Sequence, residues 1–453
     1  MKYFVSLVIV AVFTIISVGT LPQNVGEPIM HFSGNTSGAN PQSSLIEVGN
    51  TGILYGVTRN GGNTSDDLGV IYRIDTTLNN TFTAVHQFTD ITGCHPISSL
   101  VFANDLSLFG STIRCSQFGY GNIFRYNLSN HIFNVIYEFA DIANPNSLFL
   151  DNDSGLLYGT AGVGSSTFYG SVFTIDVRHE IPSTTFKQLF SFNYGTGAFP
   201  SNLILVNNSL SINTQIFGQY GAGTLIKMDR DGENAKHEIP STTFKQLFSF
   251  NYGTGAFPSN LILVNNSLSI NTQIFGQYGA GTLIKMDRDG ENAKLVYAFG
   301  RDKTLGCCPW GQLVLVADEQ QQYLYGTTMG AADCPSTIYR VGLTMMTNQI
   351  ELVATFNETT VGSAPYDGLI QSVNPSLSFG VTSQGGINNH GTFFRVNVSG
   401  DGSLEKLFDF PSDDMFGYQT QGGLVEVGNN VFYGTANLGG KYGFGTVYKI
   451  TIS

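Results

Sequence analysis

Apolar and polar residues alternate in short runs along this chain. Strict alternation of the kind seen in Gly445-Thr446-Val447-Tyr448-Lys449-Ile450 and Gly391-Thr392-Phe393-Phe394-Arg395-Val396 marks a half-buried strand. No stretch beyond the N-terminal segment carries a convincing helical period. The runs recur as a set. One line reads Leu54-Tyr55-Gly56-Val57, Leu108-Phe109-Gly110-Ser111, Leu157-Tyr158-Gly159-Thr160, Leu324-Tyr325-Gly326-Thr327, Ser378-Phe379-Gly380-Val381 and Phe432-Tyr433-Gly434-Thr435. About ten residues later comes the Gly-Thr-Val-aromatic-basic line, then a line ending in phenylalanine, then a Gly- and Pro-containing turn and an apolar run such as Ser201–Val206. Each module therefore has four strands, A to D.

Within this array, residues 179–236 and 237–294 are the same 58 letters twice. Both copies carry Ser-Ile-Asn-Thr (Ser211–Thr214 and Ser269–Thr272) where the other modules have Leu-Tyr-Gly-Thr, which sets Asn213 and Asn271 against the strand-B glycine. On that alignment the spacings from Gly56 are 54, 49, 54, 58, 55, 54 and 54 residues, so eight modules share one length.

Repeated four-stranded modules without helices predict an all-β fold, an eight-bladed β-propeller of antiparallel blades. The ends support a closed ring over a linear solenoid. The last module stops after strand C at Ser453, and the missing D strand lies at the other end, in Met30-His31-Phe32. A strand from the N-terminal region that completes the last blade removes the exposed edges of an open array. The D-strand phenylalanines are Phe32, Phe88, Phe139, Phe192, Phe250, Phe299, Phe356 and Phe410, one for each blade. The duplication copies strand D of one blade with strands A, B and C of the next, and its junction falls in a C–D connection, where an insertion costs little. Removing one copy leaves a seven-bladed ring. Seven blades is thus the older state, or the true one if the repeat is an artefact of sequence assembly.

Residues 1–19 join Lys2, an apolar run from Phe4 to Val18 and small residues at Ser17 and Gly19, the pattern of a secretory signal peptide. The run is shorter than the roughly 20 residues of a membrane span. The expectation is an extracellular, single-domain protein of residues 20–453 with no membrane span in the mature chain. Sequons at Asn35, Asn63, Asn79, Asn127, Asn152, Asn207, Asn265, Asn357 and Asn397 are the expected glycosylation sites. The formal charge of −12 argues against nucleic acid and anionic membranes as partners.

The repeat frame places Cys94 and Cys307 in D–A turns and Cys115 and Cys334 in B–C connections, loops that share one face of a propeller. It predicts disulfides Cys94–Cys115 and Cys307–Cys334, each stabilising by roughly 2–4 kcal/mol. Cys308 is left over.

The Leu-Tyr-Gly-Thr-Thr line, a Gly-Gly loop, and Gly-Thr-Val-Phe/Tyr-Lys/Arg resemble the GloVer-type tandem-repeat family and, more distantly, kelch-like propellers. The best copies are Leu324–Thr328 and Tyr433-Gly434-Thr435 with Gly439-Gly440 and Gly445–Ile450. The resemblance covers nearly the whole mature chain and implies an exported repeat protein. Its motifs are structural, so it transfers no catalytic residue.

Candidate chemistry is sparse. Strand C carries a basic residue in blade after blade, at Arg73, Arg125, Lys227, Lys285, Arg340, Arg395 and Lys449, with Thr174 the exception. This is either a ring of cations for an anionic ligand or a set of stems packed on aromatics with their heads bonded between blades. Aspartates at Asp151–Asp153, Asp229–Asp231, Asp287–Asp289 and Asp413-Asp414 lack the spacing of a calcium loop, and Asp-x-Asp-Gly reads as a hairpin turn. His31, His86, His95, His131, His179, His237 and His390 have no metal spacing; His31 and His86 are expected to be packing or rim residues. No cofactor, metal site or catalytic triad is expected.

The B–C loops mix aromatics with glycine and amides: Phe118 and Tyr120, Phe168 and Tyr169, Phe217 and Tyr220, Phe275 and Tyr278, Tyr442 and Phe444. Variable loops on a rigid scaffold commonly carry function, and these are the candidate ligand-binding residues. The expected role is non-catalytic recognition of a glycan or an extracellular protein partner. The alternatives are a hydrolase or lyase acting on polysaccharide and a structural matrix component.

Overall fold

The computed structural model describes residues 24–62, 67–164, 168–230, 244–301, 303–317, 322–331, 333–343, 349–412, 415–420, 422–428 and 430–453. The expected signal peptide, Asn63, His237, Asp231 and Asp413-Asp414 lie outside them. The described residues form eight antiparallel sheets, each with the strands of one blade in the order A-B-C-D. Blade 1 comprises Ile46–Glu47, Ile53–Thr58, Val70–Asp75 and Thr81–Gln87. In blade 2 strand A is broken into Cys94–Pro96 and Val101–Ala103, both paired with Ser107–Arg114. Blades 4 and 5 hold the duplicated strands, Ala198–Val206, Ser209–Ile216 and Thr224–Asp229 against Ala256–Val264, Ser267–Ile274 and Thr282–Asp287. Blade 8 is completed by Val25–His31, which pairs with Thr446–Thr451.

Each blade buries its faces against its two neighbours. An apolar cluster fills every junction, including that of blades 8 and 1, where Phe32, Leu45, Leu54, Val70, Tyr72, Tyr433 and Val447 meet. The D-strand phenylalanines organise these seams. The Phe88 N–H donates to the carbonyl of Gly69, which opens strand C of its own blade, at 3.0 Å. Its ring meets Phe124, on strand C of the next blade, edge-on at 5.3 Å. Phe32 with Tyr72 and Phe410 with Tyr448 repeat the contact at 5.2 Å, an arrangement aromatic quadrupoles favour. Further out, side chains of consecutive D strands stack face to face: His86 on Phe133, Tyr137 on Phe186, Phe190 on Phe244.

The strand register corrects the alignment of the duplicated modules. Gly56 faces Tyr72 across strands B and C, and a Cβ there would lie 2.4 Å from the Tyr72 hydroxyl. Gly110, Gly159, Gly326, Gly380 and Gly434 face Phe124, Phe173, Tyr339, Phe394 and Tyr448 in the same way. In blades 4 and 5 the residues at this position are Ile212 and Ile270, facing Ile226 and Ile284. Asn213 and Asn271 stand one residue further along. A branched aliphatic fits on strand B only because strand C has lost its ring, so the pair conserves volume within a close-packed interior.

Candidate functional site

The D–A and B–C connections form one face of the propeller, here the upper face, and the A–B and C–D connections the lower. A buried polar latch fixes the upper loops. In blade 4 the Thr224 N–H and hydroxyl contact Thr214 Oγ1 at 3.0 and 2.9 Å, and the Thr224 hydroxyl donates to the Thr196 carbonyl of the D–A loop at 2.6 Å. Thr272 with Thr282, Thr328 with Thr337 and Thr382 with Thr392 repeat it in blades 5, 6 and 7. The Gly-Thr that opens strand C is thus an anchor: the glycine takes a positive φ at a point where Gly223 would place a Cβ 2.3 Å from the Thr214 carbonyl oxygen.

Above the latch, four B–C loops share one backbone. The Gly119 N–H donates to Ser116 O, and Gly221 to Gly218, Gly279 to Gly276 and Gly443 to Gly440 do the same at 3.0 to 3.2 Å. The residue before the closing glycine is Phe118, Tyr220, Tyr278 and Tyr442, at the tip of the turn in blades 2, 4, 5 and 8. These tips are 49, 50, 40 and 49% exposed. Around Gly119, Gly279 and Gly443 there is open space for a Cβ, and their φ lies near +80°, so glycine is required there by the turn and not by crowding.

The other candidate aromatics divide. Tyr120, Phe168, Phe275 and Phe444 are exposed, whereas Phe217 is half-buried between Tyr169, at 5.6 Å, and Tyr194, at 5.1 Å. Tyr169 and Phe217 therefore support the loop as much as they present a surface. Sequence reasoning missed Tyr194, Tyr252 and Trp310, all exposed on D–A connections. Trp310 is the single tryptophan of the chain, and that alone could have drawn attention to it.

The disulfides Cys94–Cys115 and Cys307–Cys334 tie D–A to B–C loops on this face, and Cys308 carries a free thiol. Burial pushes that thiol's pKa up, away from the reactive thiolate.

The strand-C bases do not form an open ring of charge. Arg73 pairs with Asp75, Arg125 with Asp105, Lys227 with Asp289, Arg340 with Glu351, Arg395 with Glu405 and Lys449 with Glu27. Each such partly exposed pair contributes about 0–1 kcal/mol. Asp287 and Gly290 close a C–D turn, with the Gly290 N–H donating to the Asp287 carbonyl at 2.8 Å. His86 packs as expected: it lies 3.6 Å from the Phe133 ring, parallel to it, and desolvation lowers its pKa to about 4.

At the centre, the A segments touch one another around the ring. Asn146 Nδ2 donates to Pro200 O at 3.1 Å, Asn260 Nδ2 to Trp310 O at 2.6 Å, and the Gly423 N–H to Ser44 Oγ at 2.9 Å. Among the described residues between the start of each A segment and its leucine, Asp367 is the one carboxylate, and desolvation raises its pKa to about 6. Six of the eight described sequons, at Asn79, Asn127, Asn152, Asn207, Asn265 and Asn397, fall on the lower face; Asn35 and Asn357 fall on the upper.

The profile of the Gloeobacter/Verrucomicrobia repeat matches residues 14–173 and 265–453, well over half of the chain. The chain belongs to that family. The unmatched interval, 174–264, contains the first of the two blades that have lost the strand-B glycine. No curated protein matches the chain in sequence. Among solved structures it is similar to the Dos1 propeller, at 12% identity and a TM-score of 0.56 over 94% of this chain and 95% of that one. It is also similar to an oligogalacturonate lyase from Vibrio parahaemolyticus, at 12% identity and a TM-score of 0.47 over 95% and 98% of the two chains. A puromycin-hydrolyzing peptidase from Mycobacterium tuberculosis is 11% identical, with a TM-score of 0.49 over 92% of this chain and 61% of that one. At these identities the likeness to the Dos1 propeller is one of fold alone.

Proposed function

We propose that this member of the repeat family is a secreted, non-catalytic recognition protein that binds glycans through its upper face. The observation that carries the reading is the tip aromatic. One turn, fixed by glycine, holds Phe118, Tyr220, Tyr278 and Tyr442 half out of the protein in blades 2, 4, 5 and 8, and in blades 4 and 5 the threonine latch anchors it. A packing role would bury these rings; exposed and pre-positioned, they offer flat apolar faces at little entropic cost on binding. The placement of six sequons on the lower face leaves the upper face comparatively bare, which supports the same reading if the sequons are occupied. A polysaccharide hydrolase of the usual kind needs two carboxylates within reach of one bond. Among the described residues the central segments contribute one, Asp367, beside aromatic and amide groups, which favours binding over hydrolysis.

The test is to incubate the purified protein with a broad glycan panel, scoring retention and released fragments together by mass spectrometry. Retention without fragments, lost when Tyr220 and Tyr278 become alanine, is the expected result. Fragments would make the protein an enzyme, and silence in both readouts would point to a protein partner.

A further inference from the structure

We infer that the cleft between blades 6 and 7 on the upper face is the seat of an uncharged oligosaccharide, an inference that rests on the glycan-binding reading of that face. The cleft encloses about 530 Å³, within the range of small-ligand sites. Met329–Ala331 and Asp333–Ser336 of the blade 6 B–C loop form one wall, and the Cys307–Cys334 disulfide fastens it. The blade 7 D–A loop and Gln384 form the other.

The backbone of the second wall is fully engaged. Ser363 and Gln384 exchange two hydrogen bonds, N–H to carbonyl, at 2.8 and 3.3 Å, and the Gly386 N–H donates to the Glu358 carbonyl at 2.7 Å. The side chains are open to solvent or to a ligand: the exposed Gln384 amide and Glu358 carboxylate and the partly buried Ser363 hydroxyl have no hydrogen-bond partner among the described residues. A rigid frame that holds an amide, a hydroxyl and a carboxylate without partners matches the alternating donors and acceptors of a sugar.

An aromatic pair, outside the lining itself, stands near the inner end. The Met329 N–H donates to Cys308 O at 3.0 Å, and Trp310 lies two residues beyond Cys308. Tyr366 lies two residues beyond the lining residue Ala364 and meets the Trp310 ring edge-on at 6.1 Å. Trp310 is 41% exposed and can take the C–H face of a pyranose.

Charge selects among sugars. The described lining holds Asp333 and Glu358 and neither lysine nor arginine; Lys303 reaches Asp333 at 3.8 Å on the rim. A uronate or sulfated sugar would meet these carboxylates with its own negative charge, whereas a neutral one would not.

The experiment is calorimetric titration of the full secreted chain with cellotetraose, chitotetraose and tetragalacturonate. Binding of at least one neutral tetrasaccharide and not of tetragalacturonate is expected, and Gln384→Ala and Trp310→Ala should each weaken it by about tenfold or more. Glu358→Gln should bring tetragalacturonate binding closer to neutral binding by removing a negative charge from the cleft. Wild-type affinity in both Gln384→Ala and Trp310→Ala overturns the inference. If binding then vanishes in Tyr220→Ala/Tyr278→Ala, the reading of the upper face stands and only its seat is wrong. Preferred binding of tetragalacturonate overturns the choice of ligand, and no binding of any sugar overturns both proposals.

Discussion

Strands A, B and C of blades 4 and 5 are built from identical letters, yet their side chains do not see identical surroundings. These strands match residue for residue, and the Thr214–Thr224 and Thr272–Thr282 latches coincide at 2.9 and 2.8 Å. The seams differ. Asn213 donates through Nδ2 to the Pro258 carbonyl of blade 5 at 2.7 Å, whereas Asn271 accepts at Oδ1 from the Tyr339 hydroxyl of blade 6 at 3.1 Å. Phe217 meets both Tyr169 of blade 3 and Tyr194, whereas Phe275 meets Tyr252, the counterpart of Tyr194, and is 40% exposed. A blade's interior follows its own sequence; its edges follow whichever blade comes next.

That contrast can be broken most forcefully at the D-strand phenylalanines. Phe192 and Phe250 each pack mostly on copied residues, joined by Tyr158 and Val172 in the first case and by Ala222 and Leu225 in the second, and alanine at either should cost about 3–5 kcal/mol. The two losses, measured by denaturant unfolding, should agree with each other.

The outer stacks offer a second contrast, because one of them titrates. His86 on Phe133 occupies the place that Phe190 on Phe244 fills between blades 3 and 4. Its folded pKa near 4 lies below the ordinary 6.5. The unfolded chain therefore binds the extra proton first, and stability present above pH 6.5 falls as pH drops toward 4, by up to about 3 kcal/mol. His86→Phe should flatten that part of the stability profile.

Inside the blade, Ile226→Tyr and Ile284→Tyr should each cost about 1–3 kcal/mol by overpacking. Ile212→Gly or Ile270→Gly in the same blade should recover most of the loss, since it restores the pairing of the other six. Equal behaviour in the two copies is expected. Tyr339→Phe is the smallest change and should separate them: it leaves Asn271 Oδ1 without its donor and costs about 1–2 kcal/mol. Added to Tyr339→Phe, Asn271→Ala should then cost less than it does alone, while Asn213→Ala should be unaffected.

Period, turn residues and the split module carried the closed ring into view from the letters alone, and the repeat frame brought Cys94 to Cys115 and Cys307 to Cys334. Those features repeat at a fixed spacing. What stayed hidden depends on neighbours. Asn213 was set against the strand-B glycine because Ser-Ile-Asn-Thr ends like Leu-Tyr-Gly-Thr; only the cross-strand partner, Ile226 in place of a ring, identifies Ile212 as its true counterpart. The acidic partners of the strand-C bases come from different places in each blade, some on the same blade and one, Asp289, on the next, so no spacing announces them. The cleft between blades 6 and 7 joins segments twenty or more residues apart, and the Trp310–Tyr366 pair segments more than fifty apart, on two blades whose contact the repeat implies without saying what fills it.

The central claim is that the upper face recognises a ligand through its tip aromatics, and oxidative footprinting of the protein with and without the best glycan from the panel tests it most directly. The account predicts protection of Phe118, Tyr220, Tyr278 or Tyr442, with Tyr55 and Tyr126 on the opposite side unchanged. Protection confined to the lower face, or none at saturating glycan, would contradict it.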